Sequence, residues 1–138
     1  MVEPAPRVPR GIIDTSVVID LENLDPAVLP VEVAVSSITL AELAAGPHAT
    51  DDTAERARRQ DRLQRTEAAF DPLPFDSDAA RAYGRVYAAV STLGRKARGP
   101  RAAAILIAAT ACASHLPLYT RNPDDFRGLA DLVDVVAV

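Results

Sequence analysis

The 138-residue chain has a single cysteine, Cys112, set in the apolar run 105–113. An internal disulfide and a four-cysteine zinc site are excluded by that count, and a reducing compartment such as the cytoplasm fits it. No apolar stretch reaches the ~18 residues of a membrane span, and the chain opens with acid and proline rather than with a basic and then apolar signal. Neither a membrane span nor secretion is therefore expected. Gly-x-Gly-x-x-Gly is absent, as is a phosphate loop ending Gly-Lys-Ser/Thr, so a nucleotide cofactor would lack its backbone cradle. A phosphatase built on two aspartates spaced by one residue would need an acid where Ser16 stands. His48 follows Gly46-Pro47 and His115 closes a helical stretch; neither is set beside a recognisable serine or cysteine nucleophile, which argues against a covalent hydrolase.

Lysine is nearly missing as well, with Lys96 alone against fourteen arginines, a ratio that coding bias explains as readily as chemistry. More informative is a local absence: residues 79–123 contain seven basic side chains and no carboxylate. The other segments are acidic, and the whole chain carries a net charge of -4, which speaks against a generic nucleic-acid coat. Within the basic segment Arg95, Lys96, Arg98 and Arg101 crowd into the glycine-bounded stretch 94–101. That stretch reads either as a solvated loop or as a loop that holds phosphates by charge.

What is present is the composition of one globular domain: 49% hydrophobic and 25% charged residues over a length that supports one core. Residues 1–10, with three prolines and no periodicity, read as a flexible tail ahead of a domain over 11–138. Gly11–Asp14 reads as a buried strand ending in a carboxylate, followed by a helical stretch over Val17–Glu22. Val31–Val35 predicts a second strand, and Ser36-Ser37 opens a helix that Gly46-Pro47 ends. Thr53–Ala69 interleaves five arginines with acids as an exposed helix does. Pro72–Phe75 is a short extended segment, Asp76-Ser77-Asp78 caps a helix to about Leu93, and Arg101–Ser114 is a buried helix. Leu116–Thr120 and Leu132–Val138 are apolar strands, with one helical turn at Asp124–Phe126 between them. Strands alternating with helices, without a hairpin signal, predict an α/β fold with a parallel sheet covered on both faces.

In such sheets ligands lie beyond the carboxyl ends of the strands, so polar residues directly after strands are the first candidates. Asp14 meets that condition, although a turn aspartate or helix cap, sharing the task with Thr15 and Ser16, explains it equally well. Glu42 stands one turn into the helix after the second strand. Thr39-Leu-Ala-Glu42 also matches a capping box, in which the glutamate would turn back to the helix start. Asn122 and Asp125 follow the strand ending at Thr120, where Asn122-Pro-Asp-Asp125 is also a plain Asx-turn sequence.

Taken in order, Ile12-Ile-Asp14-Thr-Ser16-Val, Ser37-Ile-Thr-Leu-Ala-Glu42-Leu, Ile107-Ala-Ala-Thr-Ala111 and Thr120-Arg-Asn122-Pro-Asp-Asp125-Phe resemble the signature blocks of PIN domains, specifically of VapC-type toxins. The blocks span residues 12–126. The resemblance implies a single PIN-like domain with a five-stranded parallel sheet flanked by helices on both faces. It also implies an endoribonuclease dependent on Mg2+ or Mn2+ that inhibits translation and growth, a VapB-type antitoxin partner, an RNA substrate and a homodimer. By position, Asp14 and Glu42 match the first two metal acids. Asn122 falls where members carry either a fourth acid or asparagine, and Asp125 matches the acid before the aromatic. Asp14, Glu42 and Asp125 are thus the expected catalytic residues, and Asp14, Glu42, Asn122 and Asp125 the expected metal ligands.

The third acid of the pattern stands three residues before the isoleucine of the Ile-Ala-Ala block, and here that residue is Ala104. Alanine offers a hard cation neither an oxygen ligand nor a balancing charge. The expectation is a weak or inactive nuclease. Two other readings stand beside it: a catalytically silent binding module in an antitoxin or regulatory complex, and a PIN nuclease of RNA processing.

Overall fold

A computed structural model describes residues 7–94 and 99–138. The expected alternation is present: β1 (Arg10–Ile13), α1 (Thr15–Ile19), β2 (Glu32–Ala34), α2 (Ser37–Ala45), α3 (Thr53–Ala69), α4 (Ser77–Thr92), α5 (Pro100–Ser114), β3 (Leu118–Thr120) and β4 (Val135–Ala137). Short 3-10 turns cover Leu21–Asn23, Pro26–Val28, Gly46–Ala49 and Pro123–Phe126. All strand pairs are parallel, in the order β2-β1-β3-β4.

Successive strand residues point to opposite faces, and the sheet accordingly divides two cores. Ile12, Ala34 and Leu118 face one way, into a cluster with Ala82, Val86 and Val90 of α4 and Ile105, Ala108 and Cys112 of α5. Ile13, Val35 and Tyr119 face the other, against Val17 and Val18 of α1, Leu43 of α2 and Leu63 of α3. Both faces are covered, as the near-continuous apolar strands predict.

Among the described residues the sheet has four strands rather than the five implied by the resemblance. The segment expected to be extended around Leu73 contributes one parallel bridge, to Ser36, with Leu73 N–H donating to Val35 O at 2.9 Å and Ser37 N–H donating to Leu73 O at 2.8 Å. Pro72 and Pro74 flank that residue and have no N–H to donate, so the pairing stops there.

Residues 7–10, assigned to the tail by their prolines, are instead held against the sheet. Arg7 donates to the carbonyls of Pro26, Leu29 and Pro30 at 3.0–3.2 Å, and Val8 O and Pro9 O accept from Val31 and Glu32 at 2.9 Å. The arginines of α3 also do more than keep a surface solvated. Arg56 donates to Pro47 O and Thr50 O, and Arg59 to Gly46 O at 2.9 Å, fastening α3 to the turn after α2. Arg65 reaches Glu22 at 2.5 Å, which ties the helix to the turn after α1 and holds the Glu22 carboxyl below its ordinary pKa.

Candidate active site at the carboxyl edge of the sheet

β1 pairs with β2 on one side and β3 on the other, so the connections leave β1 in opposite directions and a crevice opens beyond the carboxyl ends of β1 and β3. Asp14 directly follows β1 and is 5% exposed. Its Oδ1 accepts from Val17 N–H at 3.1 Å, which caps α1, and from the Ser16 hydroxyl at 2.6 Å. Asp14 is therefore a helix cap, as the local reading allows. That task uses one oxygen; Oδ2 accepts no hydrogen bond among the described residues.

Ser16 joins the two sides of the crevice. Its Oγ, while donating to Asp14, accepts Arg121 N–H at 3.0 Å, 105 residues away in sequence. The Arg121 side chain lies 3.3 Å from Asp20 at the end of α1, a second tie between the same loops. Asn122 N–H donates to the buried Thr120 hydroxyl at 2.9 Å, which sets the direction of the chain leaving β3. Asn122 is exposed and Asp125 half-buried on the 3-10 turn Pro123–Phe126; neither side chain bonds to Asp14 or Glu42.

Glu42 is not the glutamate of a capping box. The cap of α2 is Ser36, whose Oγ accepts Thr39 N–H at 3.1 Å, so the helix begins one turn earlier than the Thr39-based pattern requires. The Glu42 carboxylate instead accepts the Thr15 hydroxyl at 2.5 Å. Thr15 also lies 3.1 Å from the hydroxyl of Thr39, itself 3.4 Å from that of Ser36, and both of these residues are fully buried. A row of hydroxyls from the core thus meets Glu42 beside Asp14. Sequence reasoning assigned Thr15 and Ser16 only to turn formation; the available signal was two hydroxyl residues directly after a strand-end carboxylate.

Arg101 and Ala104 are on the first turns of α5, which runs into β3 and so begins at the same edge of the sheet. Ala104 is 7% exposed and packs in the core cluster of α4 and α5. Arg101 is half-buried. Arg95, Lys96 and Arg98 lie outside the described residues.

Among the described residues no group of three or more His, Cys, Asp or Glu side chains is gathered to hold a metal ion. Asp14 and Glu42, related through Thr15, which follows Asp14 in the chain and bonds Glu42, are both carboxylates, the ligand type that hard divalent cations take. Magnesium is commonly held through one or two carboxylates, with water and substrate phosphate completing its shell. The pair fits an ion held in that way; it does not fit a closed cage of protein ligands.

A family model of the PIN domain matches residues 12–132. Over 133 residues the chain is 38% identical to ribonuclease VapC5 of Mycobacterium tuberculosis, with 93% of this chain and 95% of that protein covered. Its fold is similar to the crystal structure of VapBC-5, a member of the VapBC family of toxin-antitoxin systems from the same organism. The TM-score is 0.82 at 37% identity, over 94% of this chain and 99% of the matched one. It is also similar to FitAcB from Neisseria gonorrhoeae, with TM-score 0.66 at 28% identity, covering 91% and 95% of the two chains.

Proposed function

The chain belongs to the PIN-domain family, among its VapC toxins, and from that premise we propose a metal-dependent endoribonuclease that is weak as written because Ala104 stands in the place of an acid. The observation that carries this reading is the Thr15–Glu42 hydrogen bond, which draws Glu42 away from its own helix start to the edge where Asp14 stands.

Asp14 and Glu42 would hold Mg2+ or Mn2+, with Asn122 and Asp125 supplying further oxygens from the loop after β3. A divalent ion held by these residues would supply Lewis-acid chemistry to the phosphodiester and to the attacking water. Asp125, with Asp14 and Glu42, is assigned to catalysis: a carboxylate accepts a hydrogen bond from the attacking water and aligns it in line with the leaving oxygen. Ser16 and Thr15 fix the carboxylates in advance, so the geometry does not have to be built when RNA arrives. Loss of groups that merely orient ligands costs ~10- to 100-fold in metal affinity or activity, and loss of a ligand costs at least as much.

The similarity to VapBC-5, a member of the VapBC family of toxin-antitoxin systems, supports a VapB-type antitoxin as partner; in this reading the toxin acts on RNA in the cytoplasm as a homodimer. An antitoxin arginine placed beside Asp14 and Glu42 would satisfy both carboxylates and keep the site silent.

The test is RNA cleavage by this chain and by Ala104→Asp, freed of antitoxin, with Mn2+ or Mg2+ and with chelator. Cleavage by Ala104→Asp that chelator abolishes, and that Asp14→Ala in the same background removes, is the expected result. A folded Ala104→Asp variant without cleavage would overturn the nuclease reading in favour of a silent binding module.

A further inference from the structure

The Nε of Arg101 is buried and has no hydrogen-bond partner, the only such side-chain atom among the described residues. Buried N–H groups are nearly always paired, and a guanidinium has no neutral form to retreat to. The chain itself gives this Nε no acceptor, so the half-buried guanidinium is left for solvent or a ligand to satisfy.

The sequence says where an acceptor would have been. Residues three apart on a helix are neighbours on its surface, so the side chain at position 104 lies beside that of Arg101. An acid at 104 would be an ion-pair partner for the guanidinium; Ala104 supplies none, and residues 79–123 hold no other carboxylate. The first turn of α5 likewise contains no acid and its cap, Gly99, no side chain. Arg101 therefore stands at the start of α5, at the sheet edge where Asp14 and Glu42 stand, with its charge uncompensated by its own helix.

We propose that Arg101 binds a backbone phosphate of RNA in this chain, released for that contact by the alanine at 104. The proposal rests on the ribonuclease reading for its ligand class. A phosphate oxygen is the acceptor that a planar guanidinium matches best, through two parallel N–H donors. The consequence is a division of labour altered by one residue: with an acid at 104, Arg101 is spent on it; with alanine, the helix start grips substrate while the metal is held less well. This chain would then bind RNA without metal better than it cleaves RNA with metal.

The experiment measures binding of a fluorescein-labelled, unstructured single-stranded RNA by anisotropy in EDTA across a salt series, using the full chain free of antitoxin. The parent chain binds. Arg101→Gln weakens binding about tenfold or more, the size of one lost charge-assisted hydrogen bond. It also flattens the salt dependence by about 0.7 in the logarithmic slope, as expected for one phosphate contact on a single strand. Arg101→Lys keeps the slope and loses part of the affinity, which separates charge from misfolding. In the Ala104→Asp background Arg101→Gln costs little, because the guanidinium is already paired. Parent-like affinity and slope for folded Arg101→Gln would overturn the proposal, even if that variant bound antitoxin less well. An equal loss from Arg101→Gln in both backgrounds, or failure of the parent chain to bind RNA, would overturn it too. Metal-dependent cleavage by Ala104→Asp, which does not depend on Arg101, reports separately on the ribonuclease reading.

Discussion

The contact most open to a quantitative test is the 2.5 Å hydrogen bond from Thr15 to Glu42. Thr15→Val keeps the shape and β-branching of the side chain and removes only the donor. Glu42 is exposed, so the loss to folding is small: a hydrogen bond to a charged group contributes ~1.5–3 kcal/mol when sheltered, and solvent replaces much of that here. Thr39, fully buried, loses one neighbour but keeps its contact with Ser36. The effect on metal binding is larger, because without Thr15 the carboxylate is free to leave the edge and must be ordered again by the ion. Removing a group that orients a metal ligand costs ~10- to 100-fold in affinity, and each tenfold is about 1.4 kcal/mol. The assay is Mn2+ binding to the Ala104→Asp protein and to its Thr15→Val derivative, read by electron paramagnetic resonance of the free ion, with Thr15→Ser as the variant that keeps the hydroxyl. We expect Thr15→Val to raise the Mn2+ Kd by at least tenfold while Tm moves little, and Thr15→Ser to stay near the parent. A Kd within twofold of the parent for folded Thr15→Val would refute the claim that Thr15 positions Glu42.

Two further predictions concern the scaffold. Gly128 has φ +88°, and a Cβ there would sit 2.3 Å from Cδ1 of Leu93; Gly128→Ala should cost ~1–3 kcal/mol, chiefly as backbone strain because the Leu93 side chain can turn aside, read as a lower urea midpoint at unchanged slope. Tyr119 is 4% exposed, and burial, helped by the charge of Asp134 and opposed by Arg7, raises its phenol above the ordinary value of 10.0. The folded state thus keeps the phenolic proton longer than the unfolded chain. Its contribution to stability is constant below pH 10.0 and falls as the pH rises above that value; Tyr119→Phe should flatten this alkaline decline in Tm.

The element boundaries show where local chemistry is enough. Thr53–Ala69 is helical over the span that its charge pattern gives, because Asp52 accepts Ala54 and Glu55 N–H at the start and i,i+4 pairs such as Glu55–Arg59 run along it. Both signals are short-range. β4, by contrast, is Val135–Ala137 rather than the whole apolar stretch from Leu132, since a strand exists only where a partner lies alongside, and Leu118–Thr120 offers three residues.

The site divides in the same way. The sequence by itself determined that carboxylates follow buried parallel strands, that the signature blocks come in a given order, and that position 104 has no acid, because each is a matter of residue type and spacing. The place of Asp14 directly after β1 was legible for this reason, and so was its task as a cap, which is local. Tertiary structure alone took Glu42 out of a capping box, since its partner Thr15 is 27 residues away and that box differs from the real start of α2 by one turn. It alone made Ser16 a link between the loops after β1 and β3, and it alone left Arg101 with a buried, unmatched N–H. Hydrogen bonds between distant segments depend on which strands are neighbours in the sheet, and the order β2-β1-β3-β4 is set by the packing of two cores rather than by any one segment.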